Sequence, residues 1–192
     1  MGFSIADQYY LKALDSYPFD LTESVENLNY ALSYSKQHTQ ANCLMARVYS
    51  EQLSNHELAT YYFEQALAHD LTNTEAIKYY TMMLIDLRDF KKAKKMIAYG
   101  YTVKGISKFV LLRYEALLAE YQKEYKGAKK YLKIALSEAY NESATSFIKS
   151  EISRVKAKLK QLKKENKPGE KQHKKKKGKK KACIKRKWYK LF

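Results

Sequence analysis

The segment LATYYFEQAL, Leu58–Leu67, decides how this chain is read, because its skeleton returns downstream at nearly constant spacing. Ala59, Phe63, Ala66 and Leu67 become Ala93, Ile97, Gly100 and Tyr101, and then Ala128, Leu132, Ala135 and Leu136. The offsets are 34 and 35 residues, and a weaker copy, Ser24, Leu28, Ala31 and Leu32, lies another 35 residues upstream. A period of this length with small residues in fixed slots predicts stacked helix-turn-helix units, an α-solenoid. The small residues let the second helix of each pair approach the first closely, and the large residue four positions later fills the adjoining groove. One such pair cannot bury its apolar face alone, so neighbours must stack.

The pattern resembles the tetratricopeptide repeat (TPR) family over roughly residues 3–140. The expected fold is all-α: a TPR-like solenoid with units at about 3–38, 39–72, 73–104 and 106–140, then a capping helix at 142–165 and a disordered Lys-rich tail at 166–192. In the first unit, helices near 3–16 and 23–37 flank Pro18, with Tyr10, Leu11 and Leu14 as the inner stripe and Thr22 as an N-cap. Thr39 is the expected cap of the second unit, whose Met45, Ala46 and Tyr49 fill the family's Leu, Gly and Tyr slots. Its turn, Ser54-Asn55-His56, is one residue longer than the family norm. The third unit presents Ile77, Tyr80, Thr81 and Leu84, and an Arg88-Asp89 turn. The first helix of the fourth unit has two open registers, one within Leu112–Ala119 and one through Tyr114, Leu117, Leu118 and Tyr121. Ile148, Ile152, Val155, Leu159 and Leu162 form one stripe on the terminal helix, whose far half should overhang the body; at two heptads the overhang is too short to establish a coiled-coil contact, and self-association stays open.

Composition narrows the function classes. Apolar residues make up 45% of the 192, enough for a core, and 18 of them are tyrosines, which suit helices dry on one side and wet on the other. There is no apolar run long enough to span a bilayer, and the opening MGFSIADQYYLKAL lacks the pattern of a signal peptide. The two cysteines, Cys43 and Cys183, form no framework, which predicts a reducing, cytoplasmic setting. Residues 1–155 sum to +1 and residues 156–192 to +16, so the basicity is read as a property of the tail.

The sequence offers no glycine-rich phosphate loop, no His or Cys pair at metal spacing and no nucleophile–base set, so neither enzyme, metal nor cofactor is expected. The four histidines fall mostly at helix ends, where capping or surface roles suffice. The TPR resemblance instead implies a concave groove lined by the first helix of each unit, where a protein or peptide partner binds. Its slots correspond to Gln8, Tyr9, Lys12, Cys43, Leu44, Arg47, Lys78, Tyr79 and Met82, with Arg113 and Tyr114 from the fourth unit. Such a surface suits an acidic or aromatic-containing peptide, although a solvated surface reads the same way. The subclass that clamps a C-terminal carboxylate is not expected, because its Lys-Asn-Asn-Lys-Arg slots read Gln8, Lys12, Leu44, Glu75 and Tyr79.

The tail places Lys174, Lys175, Lys176, Lys177, Lys179, Lys180, Lys181, Lys185, Arg186, Lys187 and Lys190 beside Trp188 and Tyr189. Dense cationic charge with interleaved aromatics points to a polyanion, whether RNA, DNA or an anionic lipid surface. The resulting expectation is a non-catalytic TPR adaptor that captures a protein through its groove and attaches to a polyanion through its tail. The alternative makes RNA or DNA binding through the tail the main function.

Overall fold

The computed structural model describes residue 2 and residues 4–165. Among them the chain is a succession of antiparallel helix pairs: α1 Ile5–Ser16 with α2 Leu21–Tyr34, α3 Thr39–Arg47 with α4 His56–His69, α5 Thr74–Asp86 with α6 Phe90–Gly100, and α7 Lys108–Tyr121 with α8 Tyr125–Ser137. A ninth helix, α9 Glu142–Glu165, closes the stack against α8.

The recurring slots are the second helices' buried faces. The buried residues of α2 are Ser24, Leu28 and Ala31, those of α4 Ala59, Phe63 and Ala66, those of α6 Ala93, Ile97 and Gly100, and those of α8 Ala128, Leu132 and Ala135. At Gly100 the approach is so close that a Cβ would lie 2.8 Å from Leu111 Cδ2 of α7. The fourth slot is not equivalent: Leu32, Leu67 and Leu136 are half-buried, and Tyr101 is exposed.

The hairpin turns repeat as well. Ser54, Arg88 and Lys123 all have φ near +60°, at spacings matching the repeat. At this left-handed residue the first helix ends, and the next amide returns to it: Asp89 N–H donates to Leu84 O (2.9 Å) and Glu124 N–H to Ala119 O (2.8 Å). In the second unit the same bond skips one residue further, from Asn55 to Tyr49 O (2.9 Å). A π-helical turn at Val48–Gln52 takes up the additional residue there, so the long turn seen in sequence lies inside the helix end.

Several local expectations are corrected. Asp20, not Thr22, caps α2, accepting from Glu23 N–H (2.9 Å), and the helix therefore starts earlier. His38, not Thr39, caps α3: its Nδ1 accepts from Ala41 N–H (3.1 Å), while Nε2 faces Asp7 Oδ1 at 3.0 Å and ties α3 to α1. An accepting Nδ1 leaves the ring proton on Nε2, so the imidazole bridges the two helices as acceptor and donor. The inner stripe of α1 is Ala6, Tyr10, Ala13 and Tyr17, whereas Leu11 and Leu14 are exposed by 39% and 40%.

Both registers considered for α7 are used, on different faces. Phe109, Leu112, Ala116 and Ala119 pack with α8 and α9. Tyr114, Leu117 and Leu118 join the core of the preceding units. The terminal helix buries Ala144, Ile148, Ile152 and Val155; Leu159 and Leu162 are only half-buried where it runs past the start of α8.

Candidate functional site

The first helices α1, α3, α5 and α7 touch one another in sequence and so form the inner side of the solenoid. On this side a cleft of about 500 Å³ opens between α1, α3 and the start of α5. Its floor is Tyr10, Leu14, Cys43 and Leu44, and its polar rim runs from Asp70 through Glu75. A second depression of about 270 Å³, lined by Ser50, His56, Met82, Met83, Asp86 and Leu87, lies across Tyr79.

Arg47 stands at the divide. Its guanidinium lies over two aromatic rings, 4.0 Å from the ring centre of Tyr79 and 5.0 Å from that of Tyr17. Nε donates to Glu51 Oε1 (3.2 Å), and the Tyr17 hydroxyl donates to Glu51 Oε2 (2.6 Å). Two aromatic plates and one carboxylate thereby hold the fork in place, with its terminal nitrogens free of any hydrogen bond among the described residues. A guanidinium fixed this way binds a carboxylate at little entropic cost.

The sequence-predicted groove residues separate into groups. Cys43, Leu44, Arg47 and Tyr79 line the main cleft, and Met82 the second depression. Cys43 and Leu44 are floor rather than contact points, being 4% and 3% exposed. Gln8 is exposed and lines neither depression. Tyr9 turns instead to α2, its ring 5.1 Å from Tyr30 and 5.9 Å from Tyr34, and Lys12 lies over Tyr9. Lys78 is paired with Glu75. Arg113 leaves the inner face for the capping helix, stacking on Phe147 at 4.4 Å and lying 4.0 Å from Glu151. Tyr114 is sealed between α5 and α7, donating to Lys78 O (3.1 Å). The tail residues Lys174–Lys190, with Trp188 and Tyr189, lie outside the described residues.

Sequence reasoning placed Tyr10 and Leu14 in the packing stripe of α1 rather than in the groove, and missed Tyr17 and Glu51. The seven-residue spacing of Ala6 and Ala13 was the available signal, since small residues one heptad apart mark the seam of α1 against its neighbours.

Burial pushes the Cys43 thiol up to about 12, so it stays protonated. Burial also pushes the Tyr114 hydroxyl up to about 12, and burial with the nearby Glu64 carboxylate does the same at Tyr80. The ordinary values are 9.0 for the thiol and 10.0 for the phenols, so the unfolded chain releases protons that the folded chain retains. Stability from these groups is therefore complete below about pH 9 and is lost as pH rises toward about 12. Urea unfolding at a series of alkaline pH values should show a midpoint falling across that window, and less steeply in Tyr114→Phe. A flat midpoint would rule out the linkage.

Among the described residues no three His, Cys, Asp or Glu side chains gather as metal ligands, and no helix is long and apolar enough to cross a membrane. Stacked helical hairpins, an inner cleft and a terminal helix over the last face define an all-α, TPR-like solenoid. No protein-family model matches the sequence, and no curated protein matches it either. Solved structures do. PilW, described as a widely conserved type IV pilus biogenesis factor, superposes with a TM-score of 0.72 at 17% identity, over 84% of this chain and 73% of its own. Pseudomonas aeruginosa PilF gives 0.69 at 17% identity, over 81% and 69%. A tetratricopeptide repeat protein from Parabacteroides merdae gives 0.64 at 18% identity, over 85% and 66%. At such identities the likeness is one of fold.

Proposed function

We propose that this chain is a non-catalytic scaffold that holds a segment of a partner protein in the inner cleft, and that it works in the cytoplasm. The supporting observation is Arg47, lying over the rings of Tyr17 and Tyr79 at the mouth of an apolar-floored cleft. The matching segment carries an aromatic or aliphatic anchor for Tyr10 and Leu14, next to a carboxylate for Arg47. Rim acids Asp70 and Glu75 disfavour a segment acidic along its whole length. The buried free thiol of Cys43 supports a reducing compartment. The basic tail adds electrostatic attachment to a polyanion.

Selection of a displayed random-peptide library on the full chain tests the reading. Enriched peptides should pair an apolar anchor with an acid. Arg47→Ala and Tyr79→Ala should each weaken them about 10–30-fold, the range of a central stacked contact. Gln8→Ala and Lys12→Ala, off the cleft, should leave binding unchanged. If no peptide is enriched, or binders are indifferent to Arg47→Ala with its helical circular dichroism intact, the cleft is not the recognition site.

A further inference from the structure

The near-zero charge of residues 1–155 conceals a division in the middle of the solenoid. Residues 1–87 carry 4 Lys+Arg against 11 Asp+Glu, and residues 88–155 carry 15 against 7. The basicity is therefore not confined to the tail. The second helices change most sharply: α2 and α4 contain glutamates and no lysine, whereas α6 and α8 contain lysines and no acidic residue.

These lysines follow the repeat. Lys91, Lys94 and Lys95 of α6 recur as Lys126, Lys129 and Lys130 of α8, at the same 35-residue offset as Ala93 and Ala128. The same slots hold Glu57, Thr60 and Tyr61 in α4. With about 100° between successive helical residues, Lys91, Lys95, Lys126 and Lys130 lie on the side away from Ala93, Ile97 and Gly100, and from Ala128, Leu132 and Ala135, with Lys94 and Lys129 on its flank. Five of the six are exposed and Lys129 is half-buried. Among the described residues none has a carboxylate within 4.0 Å. Burial pushes the Glu115 carboxyl up, and Lys94 offsets part of that rise.

We infer that the outer face of α6 and α8 is a docking surface for the phosphate backbone of a nucleic acid, on the side away from the inner cleft and independent of the cleft reading. Lysines are point charges that suit phosphate contacts, which carry no sequence information. Their recurrence in successive hairpins makes rows of charge, the arrangement a linear polyanion meets with repeated contacts. A protein partner would need an apolar or aromatic anchor, and a membrane would need residues to insert. Of the large exposed apolar residues only Ile134, at 37%, belongs to either helix.

Fluorescence anisotropy with a labelled DNA duplex of about 25 base pairs and arbitrary sequence, titrated with the full chain between about 50 and 200 mM salt, tests this. Two full-chain variants are compared: Lys91, Lys95, Lys126 and Lys130 all to Gln, and Lys174–Lys177 all to Gln. The first should reduce the slope of log K against log salt by about 3–4, at about 0.9 per lost phosphate contact, with unchanged thermal melting. The second should leave that decrement intact when the two sets are combined. A slope within about 1 of wild type for the first variant, or a loss confined to the tail variant, overturns the inference. So does loss of binding to phosphatidylserine vesicles with duplex binding unaltered, which would assign the face to a membrane.

Discussion

Replacing Phe63 by alanine should lower stability by about 3–5 kcal/mol, more than any comparable truncation on α8. The ring is fully buried and stacks on Tyr80 with centroids 5.3 Å apart. It also belongs to a core drawn from five helices, α3 to α7, with Cys43, Ala59, Tyr80, Leu84, Ala93 and Leu118 among its members. Surrounding alanines cannot move inward to fill the hole, because each already sits at a helix contact. Leu132 holds the equivalent slot in α8 but has a smaller side chain and a core shared with the terminal helix. For a chain of this size the loss corresponds to a fall in melting temperature on the order of 10 °C. Urea denaturation of both variants checks the ranking, and a cost below about 1 kcal/mol for Phe63→Ala would mean that the central hairpins are not closely packed.

The second large effect is at the junction with the terminal helix. Glu120 lies in the last turn of α7, where the helix dipole disfavours a negative charge, and its side chain is only 6% exposed. Two cations from α9 offset this. Arg154 Nη2 donates to Oε2 at 2.8 Å, and Lys158 Nζ lies 2.7 Å from Oε1. The Lys158 contact is an ion pair whose angle falls outside that of a hydrogen bond, so charge rather than a directed bond satisfies Oε1. Glu151 also accepts from Arg154, at 3.0 Å, and so steadies the guanidinium. Removing both cations, as Arg154→Ala with Lys158→Ala, should cost about 3 kcal/mol because a buried carboxylate loses its counter-charge. The low end of the range applies since the cations themselves are half-exposed. Adding Glu120→Leu should restore most of the loss, since no charge then remains to be satisfied. Chemical denaturation of the single, double and triple variants forms the necessary cycle. A double variant within about 0.5 kcal/mol of wild type would show that water, not α9, neutralises Glu120.

How far the chain could be read in advance followed from which interactions are local. The slots of Ala59, Phe63 and Ala66, and their counterparts, were legible because helical periodicity and repeat period act on the same residues. The caps were not: Asp20 and His38 lie one or two residues before the threonines that local preference favours. His38 is chosen because its second nitrogen also meets Asp7 of another helix. The two stripes of α7 looked like rivals, but a helix between two neighbours needs both. At the cleft, Tyr10 was expected only in the packing stripe of α1 and Tyr9 in the groove, and only the packing of Tyr9 on Tyr30 and Tyr34 shows that Tyr10 lines the cleft in its place.

By itself the sequence determined that the repeat body is all-helical, that its hairpins repeat every 34 or 35 residues, and which face of each second helix is buried, because those follow from side-chain size at fixed spacing. The charge division between the two halves was also written there, although a sum over residues 1–155 hid it. Tertiary structure alone decided that Arg47 meets Tyr17 and Tyr79, and that Glu120 meets Arg154 and Lys158. Each of these contacts joins residues from different helices, and their geometry depends on how the hairpins lean against one another, a quantity no local spacing encodes.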